Sequence, residues 1–132
     1  MTTAVDSSVL IAIARQESGA GGWVATLSRA LDGGDLVICE VVAAEVSSLF
    51  GNEDRFAHFL GRLGVVFDAV SMRTAIEAGR IFKKYRTDGG PRRHLLPDFL
   101  VGAHALVQAG QLAAIDRGYL RRYFPRLKIL TP

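Results

Sequence analysis

Short apolar runs alternate with helical patterns along the chain, and this alternation limits the possible folds more than any other feature. The strand candidates are Thr2–Val5, Leu36–Cys39, Val65–Phe67, Leu112–Ile115 and Leu127–Leu130. Runs that are apolar throughout suit strands buried on both faces, and helices between them suit parallel crossovers. The sequence therefore predicts an α/β fold, a three-layer α/β/α domain with a central parallel sheet of about five short strands.

Composition narrows the class further. With 132 residues and 49% hydrophobic residues, the chain is expected to form a single domain over residues 1–132 with a substantial core. A net charge of +3 permits a nucleic-acid partner without requiring one. Cys39, the single cysteine, has no partner for an internal disulfide, so a cytoplasmic location is expected. The sequence shows neither a signal peptide nor an apolar run long enough to span a membrane.

The most unusual acid is Glu45, in the helical pattern from Val41 to Phe50. Val42, Glu45, Val46 and Leu49 share one helix face, which is otherwise apolar. Because burial of an unpaired carboxylate costs several kcal/mol, we expect Glu45 either to face a cavity or to pair with an arginine.

Three further acids are placed to meet Glu45. Asp6 and Asp116 each follow an apolar run, and Asp98 lies in the first turn of a helix that begins at Pro97. Ligands of open parallel sheets bind beyond the carboxyl ends of the strands. Taken singly, these aspartates are also explained as helix caps or as charges that complement a helix dipole. Together, four carboxylates would bind a cation, and an all-oxygen site suits Mg²⁺ or Mn²⁺.

The segments around these acids carry a specific resemblance. AVDSSVLIA, VVAAEV, PDFLVGAHAL and AAIDRGY, in this order and spacing, resemble the four acidic motifs of PIN domains, and most closely those of VapC-type toxins of toxin–antitoxin modules. The resemblance covers essentially the whole chain. It implies an Mg²⁺-dependent endoribonuclease (Mn²⁺ being the alternative ion) that cleaves RNA by in-line attack of a metal-activated water. It also implies inhibition by a cognate, VapB-like antitoxin.

The resemblance also implies roles for the individual acids. Asp6, Asp98 and Asp116 would hold the metal, and Glu45 would complete the metal site and orient the attacking water, so all four count as catalytic. Ser8 matches a small hydroxyl residue of the family that either hydrogen-bonds a carboxylate or caps the following helix.

One position departs from the family pattern. Ala114 stands where the family commonly has threonine or asparagine, which makes the placement of Asp116 the least secure of the four. Arginines near the last two acids are candidates for contacts with the RNA backbone, although a solvated surface explains them equally well: Arg92, Arg93, Arg117 and Arg121. His104, in the middle of a helix, is interpreted as a packed histidine.

Two other functions remain open. A receiver-like Mg²⁺-binding signalling domain would use Asp68 as its acceptor, but Asp6 is followed by serines rather than by a second acid. A non-catalytic PIN-fold interaction module is the other alternative.

Besides RNA, the expected partners are the antitoxin, placed along residues 9–31, and a second copy of the chain. A homodimer, or a hetero-oligomer with the antitoxin, would use an apolar stripe that core packing explains equally well: Phe56, Phe59, Leu60 and Leu63.

Overall fold

The fold is an alternation of strands and helices, seen in a computed structural model that describes residues 1–115 and 118–132. Within these residues the strands are β1 Thr3–Val5, β2 Leu36–Ile38, β3 Val65–Phe67, β4 Gln111–Ala113 and β5 Lys128–Leu130. The helices are α1 Ser7–Ala14, α2 Ala20–Gly33, α3 Glu40–Ser47, α4 Glu53–Leu63, α5 Met72–Thr87, α6 Leu96–Gln108 and α7 Tyr119–Tyr123. Each predicted strand is present, with bounds that differ by at most two residues.

The strands form one parallel sheet in the order β3-β2-β1-β4-β5. Thr3 of the central strand β1 is in register with Leu36 on one side and Gln111 on the other. The chain moves outward from β1 to β3 and then returns for β4 and β5. Right-handed crossovers therefore place the helices before β3 on one face and those after it on the other. This confirms the α/β/α prediction.

The core includes buried residues of α1, α2 and α3, and it extends around the pair of helices α5 and α6. Phe99 of α6 is fully buried, and its ring lies 5.2 Å from that of Phe82 and 5.1 Å from that of Tyr85. Phe124 packs over Gly102, where a Cβ atom would lie only 2.6 Å from the Phe124 ring. Close packing of this kind fixes the position of α6, which also carries Asp98.

The apolar stripe of α4 belongs to this monomeric packing. Phe56, Phe59, Leu60 and Leu63 are partly buried and pack against the core. Phe50 extends the contact, with its ring 5.0 Å from that of Phe59. This agrees with the core-packing interpretation of the stripe, while its use in a homodimer stays a prediction. No helix in the described ranges is both long and apolar enough to cross a membrane.

Candidate active site

A cleft of about 420 Å³ lies at the carboxyl edge of the sheet. Asp6 reaches it because it follows β1 directly, and its backbone N–H donates to Ala113 O at 2.9 Å, which ties it to the end of β4. Asp98 reaches it from the first turn of α6. The cleft wall also contains Ser7, Ser8, Arg93 and His94. The strand-end prediction is therefore confirmed for Asp6, and Asp98 lies on the same cleft.

Asp6 is both a helix cap and a member of the cleft. Its Oδ2 accepts hydrogen bonds from the backbone N–H of Ser8 at 3.3 Å and from Ser8 Oγ at 2.5 Å. The first bond caps α1, and the second fixes the carboxylate orientation. The interpretation of Ser8 as a residue that hydrogen-bonds a carboxylate is therefore confirmed, whereas its interpretation as a helix cap is wrong, because Asp6 caps α1 and Ser8 lies within that helix.

The Glu45 side chain lies in a different environment from the one that its helical pattern indicates. Val42 and Val46 on the inferred face are buried, but Glu45 itself is exposed, α3 ends at Ser47, and Leu49 lies outside the helix with 38% exposure. Its described partner is not an arginine but Ser7, whose Oγ donates to Glu45 Oε1 at 3.1 Å.

Glu45 nevertheless faces the other acids. Its pKa is raised above the ordinary 4.5, first by partial burial and then by the negative charges of Asp6 and Asp98, while the Ser7 hydrogen bond opposes the rise. An aspartate raises a neighbouring carboxyl pKa only when it is near enough to repel the ionised form. Glu45 therefore lies within electrostatic reach of Asp6 and Asp98, although it does not line the cleft itself.

Asp98 is held by the backbone at the start of its helix. Its Oδ2 accepts the Leu95 N–H at 2.9 Å, and His94 Nδ1 lies 3.8 Å from the same oxygen. The His94 ring in turn stacks on Tyr119, with centroids 4.1 Å apart. These contacts join α7 to the loop before α6 along one side of the cleft.

The chemical type of the acidic side chains, which is carboxylate oxygen, suits a hard divalent cation. Asp6, Glu45 and Asp98 offer only oxygen ligands, and their crowding is of the kind that a cation relieves. However, no three acidic, histidine or cysteine side chains within residues 1–115 and 118–132 come close enough together to hold a metal. Asp116, the fourth predicted ligand, lies outside the described residues, as does Arg117. Ala114 is fully buried after β4.

The predicted arginines divide into two groups. Arg93 lines the cleft, where a phosphate could meet it. Arg92, its neighbour in the same loop, and Arg121 of α7 are exposed but are not part of the cleft wall.

A partly buried polar network at the end of β3 was not predicted. Asp68 Oδ2, at the end of β3, lies 2.9 Å from His104 Nε2 and accepts from Gln108 Nε2 at 3.1 Å. Gln108 Oε1 accepts from Thr74 Oγ1 and from the Ser71 N–H, which fixes the start of α5 to α6. The available signal was the spacing of His104 and Gln108, four residues apart on one helix face.

Comparison with known families agrees with this arrangement. The PIN domain family profile matches residues 3–125, which is nearly the whole chain. The chain belongs to the PIN-domain family. No curated protein sequence is significantly similar to it. The receiver-like alternative is set aside, since its candidate acceptor Asp68 is engaged by His104 and Gln108.

Solved structures share the PIN fold at low sequence identity. The chain is similar to VapBC2 from Rickettsia felis bound to a DNA fragment from their promoter, with a TM-score of 0.76, 16% identity, and coverage of 98% of this chain and 97% of that one. FitAcB from Neisseria gonorrhoeae gives a TM-score of 0.64, 16% identity, and coverage of 98% and 97%. VapBC-1 from nontypeable Haemophilus influenzae gives a TM-score of 0.66 and 14% identity, with coverage of 98% of this chain and 96% of that one. These likenesses establish the fold.

Proposed function

We propose that this PIN domain, spanning residues 1–132 as a single unit, is a metal-dependent endoribonuclease toxin of the VapC type. The observation that carries the proposal is the presence of Asp6 and Asp98 on one cleft, with Glu45 hydrogen-bonded to Ser7 of the cleft wall and near enough for the two aspartates to raise its pKa. Asp116, in the motif that departs from the family pattern at Ala114, would supply the fourth acid. A cluster of carboxylates at the carboxyl edge of a parallel sheet suits phosphodiester hydrolysis better than simple scaffolding.

Asp6, Asp98 and Asp116 would hold Mg²⁺ or Mn²⁺, with Glu45 completing the set. When bound, such an ion neutralises charge on the phosphate and lowers the pKa of water. Ser8 keeps Asp6 pointed into the cleft, and Ser7 holds Glu45 by one oxygen, which leaves the other free to orient the attacking water. Arg93, on the cleft wall, would contact the RNA backbone. In-line attack by water needs no ribose hydroxyl as nucleophile.

The partner proposal follows from the structural neighbours. Two of them are described as VapBC assemblies, and the third as FitAcB. We propose a VapB-like antitoxin for this chain as well, which would lie along α1 and α2 and place a basic side chain among the acids. A homodimer, or a hetero-oligomer with the antitoxin, in the cytoplasm completes the proposal.

The test is RNA cleavage by the purified protein. Total RNA is incubated with Mg²⁺, with Mn²⁺ or with a chelator, and the cut ends are mapped by sequencing. We expect ion-dependent cuts that leave 5′-phosphates. Asp6→Asn and Glu45→Gln should each lower the rate at least a hundredfold with an unchanged circular dichroism spectrum. Asp32→Asn makes the same chemical change on the exposed end of α2 and should cleave at the wild-type rate.

Two outcomes would contradict the proposal. Equal cleavage by wild type and both cleft variants would mean that the activity does not belong to this site. No cleavage of any RNA by a folded, antitoxin-free protein would favour the non-catalytic interaction module.

A further inference from the structure

A second cavity, of about 310 Å³, adjoins the acidic cleft. The two share three wall residues, Arg93, His94 and Tyr119, so a chain lying in the cleft can continue into the cavity. The remaining wall comes from the turn after α5 and from α7. A cavity of this size is at the lower end of the ~300–1,000 Å³ range of small-ligand sites.

The cavity is built from aromatic side chains that the core holds in place. Tyr85 and Tyr123 are almost fully buried, and their rings meet edge to face at 5.2 Å. Tyr85 Oη donates to Pro91 O at 2.5 Å, and the Gly90 N–H donates to Tyr85 O at 2.9 Å. A Cβ atom at Gly90 would lie 2.5 Å from the Tyr85 ring, so only glycine lets this turn approach so closely. The cavity is therefore formed before any ligand arrives.

Positive charge surrounds its entrance. The Arg122 guanidinium lies 5.4 Å from the centroid of the Tyr123 ring, and Arg93 lies at the junction with the cleft. Within residues 1–115 and 118–132, no carboxylate lies within ion-pair distance of either arginine. Unpaired guanidinium groups beside aromatic walls suit the phosphates and bases of single-stranded nucleic acid.

One acid in the wall is a hydrogen-bond acceptor. Asp88 Oδ2 accepts from Tyr123 Oη at 3.2 Å. Burial and this hydrogen bond raise the pKa of Tyr123. Asp88 is exposed, and the Tyr123 hydrogen bond uses its Oδ2 oxygen rather than Oδ1. A carboxylate oxygen accepts from exocyclic amino groups of bases, which adenine, cytosine and guanine carry and uracil does not.

We propose that the second cavity is a subsite for one unpaired nucleotide next to the scissile phosphate, and that Asp88 there favours a base with an amino group over uracil. The proposal rests on the proposed nuclease function, since it names how the same site would choose its RNA. The nucleotide must be unpaired because a base can enter a cavity only after it leaves the stack.

The experiment uses four single-stranded oligonucleotides that differ only in the nucleotide beside the mapped cut. The wild type should cleave the uridine oligonucleotide with a kcat/KM about tenfold lower than the other three. Asp88→Asn keeps an oxygen that can accept the Tyr123 bond but adds a donor, and should reduce this ratio to below about threefold. Arg122→Ala should raise KM about equally for all four oligonucleotides. The matched control is Arg80→Ala, at an exposed arginine of α5 that pairs with Glu77. It should change neither the base preference nor KM.

A binding assay separates this proposal from the nuclease proposal. Fluorescence anisotropy of the same labelled oligonucleotides, with Asp6→Asn protein in chelator, measures RNA affinity without cleavage. If wild type cleaves RNA while Asp88→Asn and Arg122→Ala change neither base preference nor KM, the subsite is wrong and the nuclease stands. If nothing is cleaved but affinity depends on the base and on Arg122, the nuclease proposal is wrong and the cavity is a nucleotide-binding site without a neighbouring scissile phosphate. If Arg122→Ala weakens binding of the antitoxin and not of RNA, the cavity is a protein-binding site and the subsite is overturned.

Discussion

Replacement of Asp68 by alanine should destabilise the protein by an amount that the structure allows us to estimate. The Asp68 carboxylate accepts hydrogen bonds from His104 and Gln108. His104 is 1% exposed, so without Asp68 its Nε2–H loses its described hydrogen-bond partner in a buried position, which costs about 1–3 kcal/mol. Gln108 is less buried and keeps its 2.9 Å hydrogen bond to Ala69 O, so it loses little.

We therefore expect Asp68→Ala to lower the free energy of unfolding by about 2 kcal/mol, which corresponds to a fall of roughly 6–8 °C in Tm at this chain length. Urea denaturation followed by circular dichroism measures it. Asp68→Asn keeps an oxygen acceptor and should lose less than half as much. Asp32→Ala, at an exposed position with no described hydrogen bond, should stay within about 0.5 kcal/mol of wild type.

A double-mutant cycle with His104→Leu separates this contact from other effects of the substitution. Once His104 is gone, no buried donor remains to be orphaned, and water can reach the Asp68 side chain, which is 38% exposed. Asp68→Ala should then cost under about 1 kcal/mol. If it costs as much in the His104→Leu background as in wild type, the proposed role of the pair is refuted.

Three further predictions concern the cleft and the core. The pKa of Glu45 is raised above 4.5, so its ionisation destabilises the folded state at neutral pH. In urea denaturation at pH 7 without metal, Glu45→Gln should therefore unfold at a higher urea concentration than the wild type. This difference in urea midpoint should vanish as the pH falls below 4.5. Ser8→Ala frees the Asp6 carboxylate and should raise the Mg²⁺ concentration for half-maximal cleavage about tenfold. An unchanged Mg²⁺ titration would show that Ser8 does not position Asp6 for the metal. Gly102→Ala pushes a Cβ atom against Phe124 and should cost about 1–3 kcal/mol in urea denaturation; a neutral result would mean that the ring moves aside freely.

The sheet was predictable because its signal is local. Each strand is a short apolar run that is complete in itself, and the carboxyl-edge rule then places Asp6 without knowledge of any distant contact. The position of Asp98 followed from Pro97, which suits the first turn of a helix.

Glu45 shows where such local reasoning fails. Helical periodicity continues past Ser47, but the helix does not, because Ser47 Oγ donates to Ala44 O and Ser48 Oγ to Glu45 O. Serine hydroxyls that bond to nearby carbonyls compete with helix continuation. The inferred face therefore included Leu49, which is not in the helix at all.

The buried face of α5 was only partly predictable. The helical pattern favours Ala75, Ala78, Gly79, Phe82 and Tyr85. Ala78 and Tyr85 are indeed buried, but Thr74 and Ile81, which lie outside that pattern, are buried as well. Burial of Thr74 is possible because its hydroxyl donates to Gln108 Oε1 at 2.6 Å, from a helix 34 positions away in sequence. A polar residue is buried when a distant partner satisfies it, and one sequence does not reveal that partner.

The double role of Asp6 decides how the site must be tested. Its side chain accepts the Ser8 N–H that caps α1, so Asp6→Ala would remove a helix cap worth about 1 kcal/mol together with a cleft carboxylate. Loss of cleavage in that variant would not distinguish an unfolded protein from a missing ligand. Asparagine caps helices as well as aspartate does but carries no charge for a cation. Asp6→Asn therefore changes the chemistry of the cleft while it leaves the start of α1 intact. If this variant is as stable as the wild type but inactive, the lost activity is due to the missing carboxylate and not to unfolding.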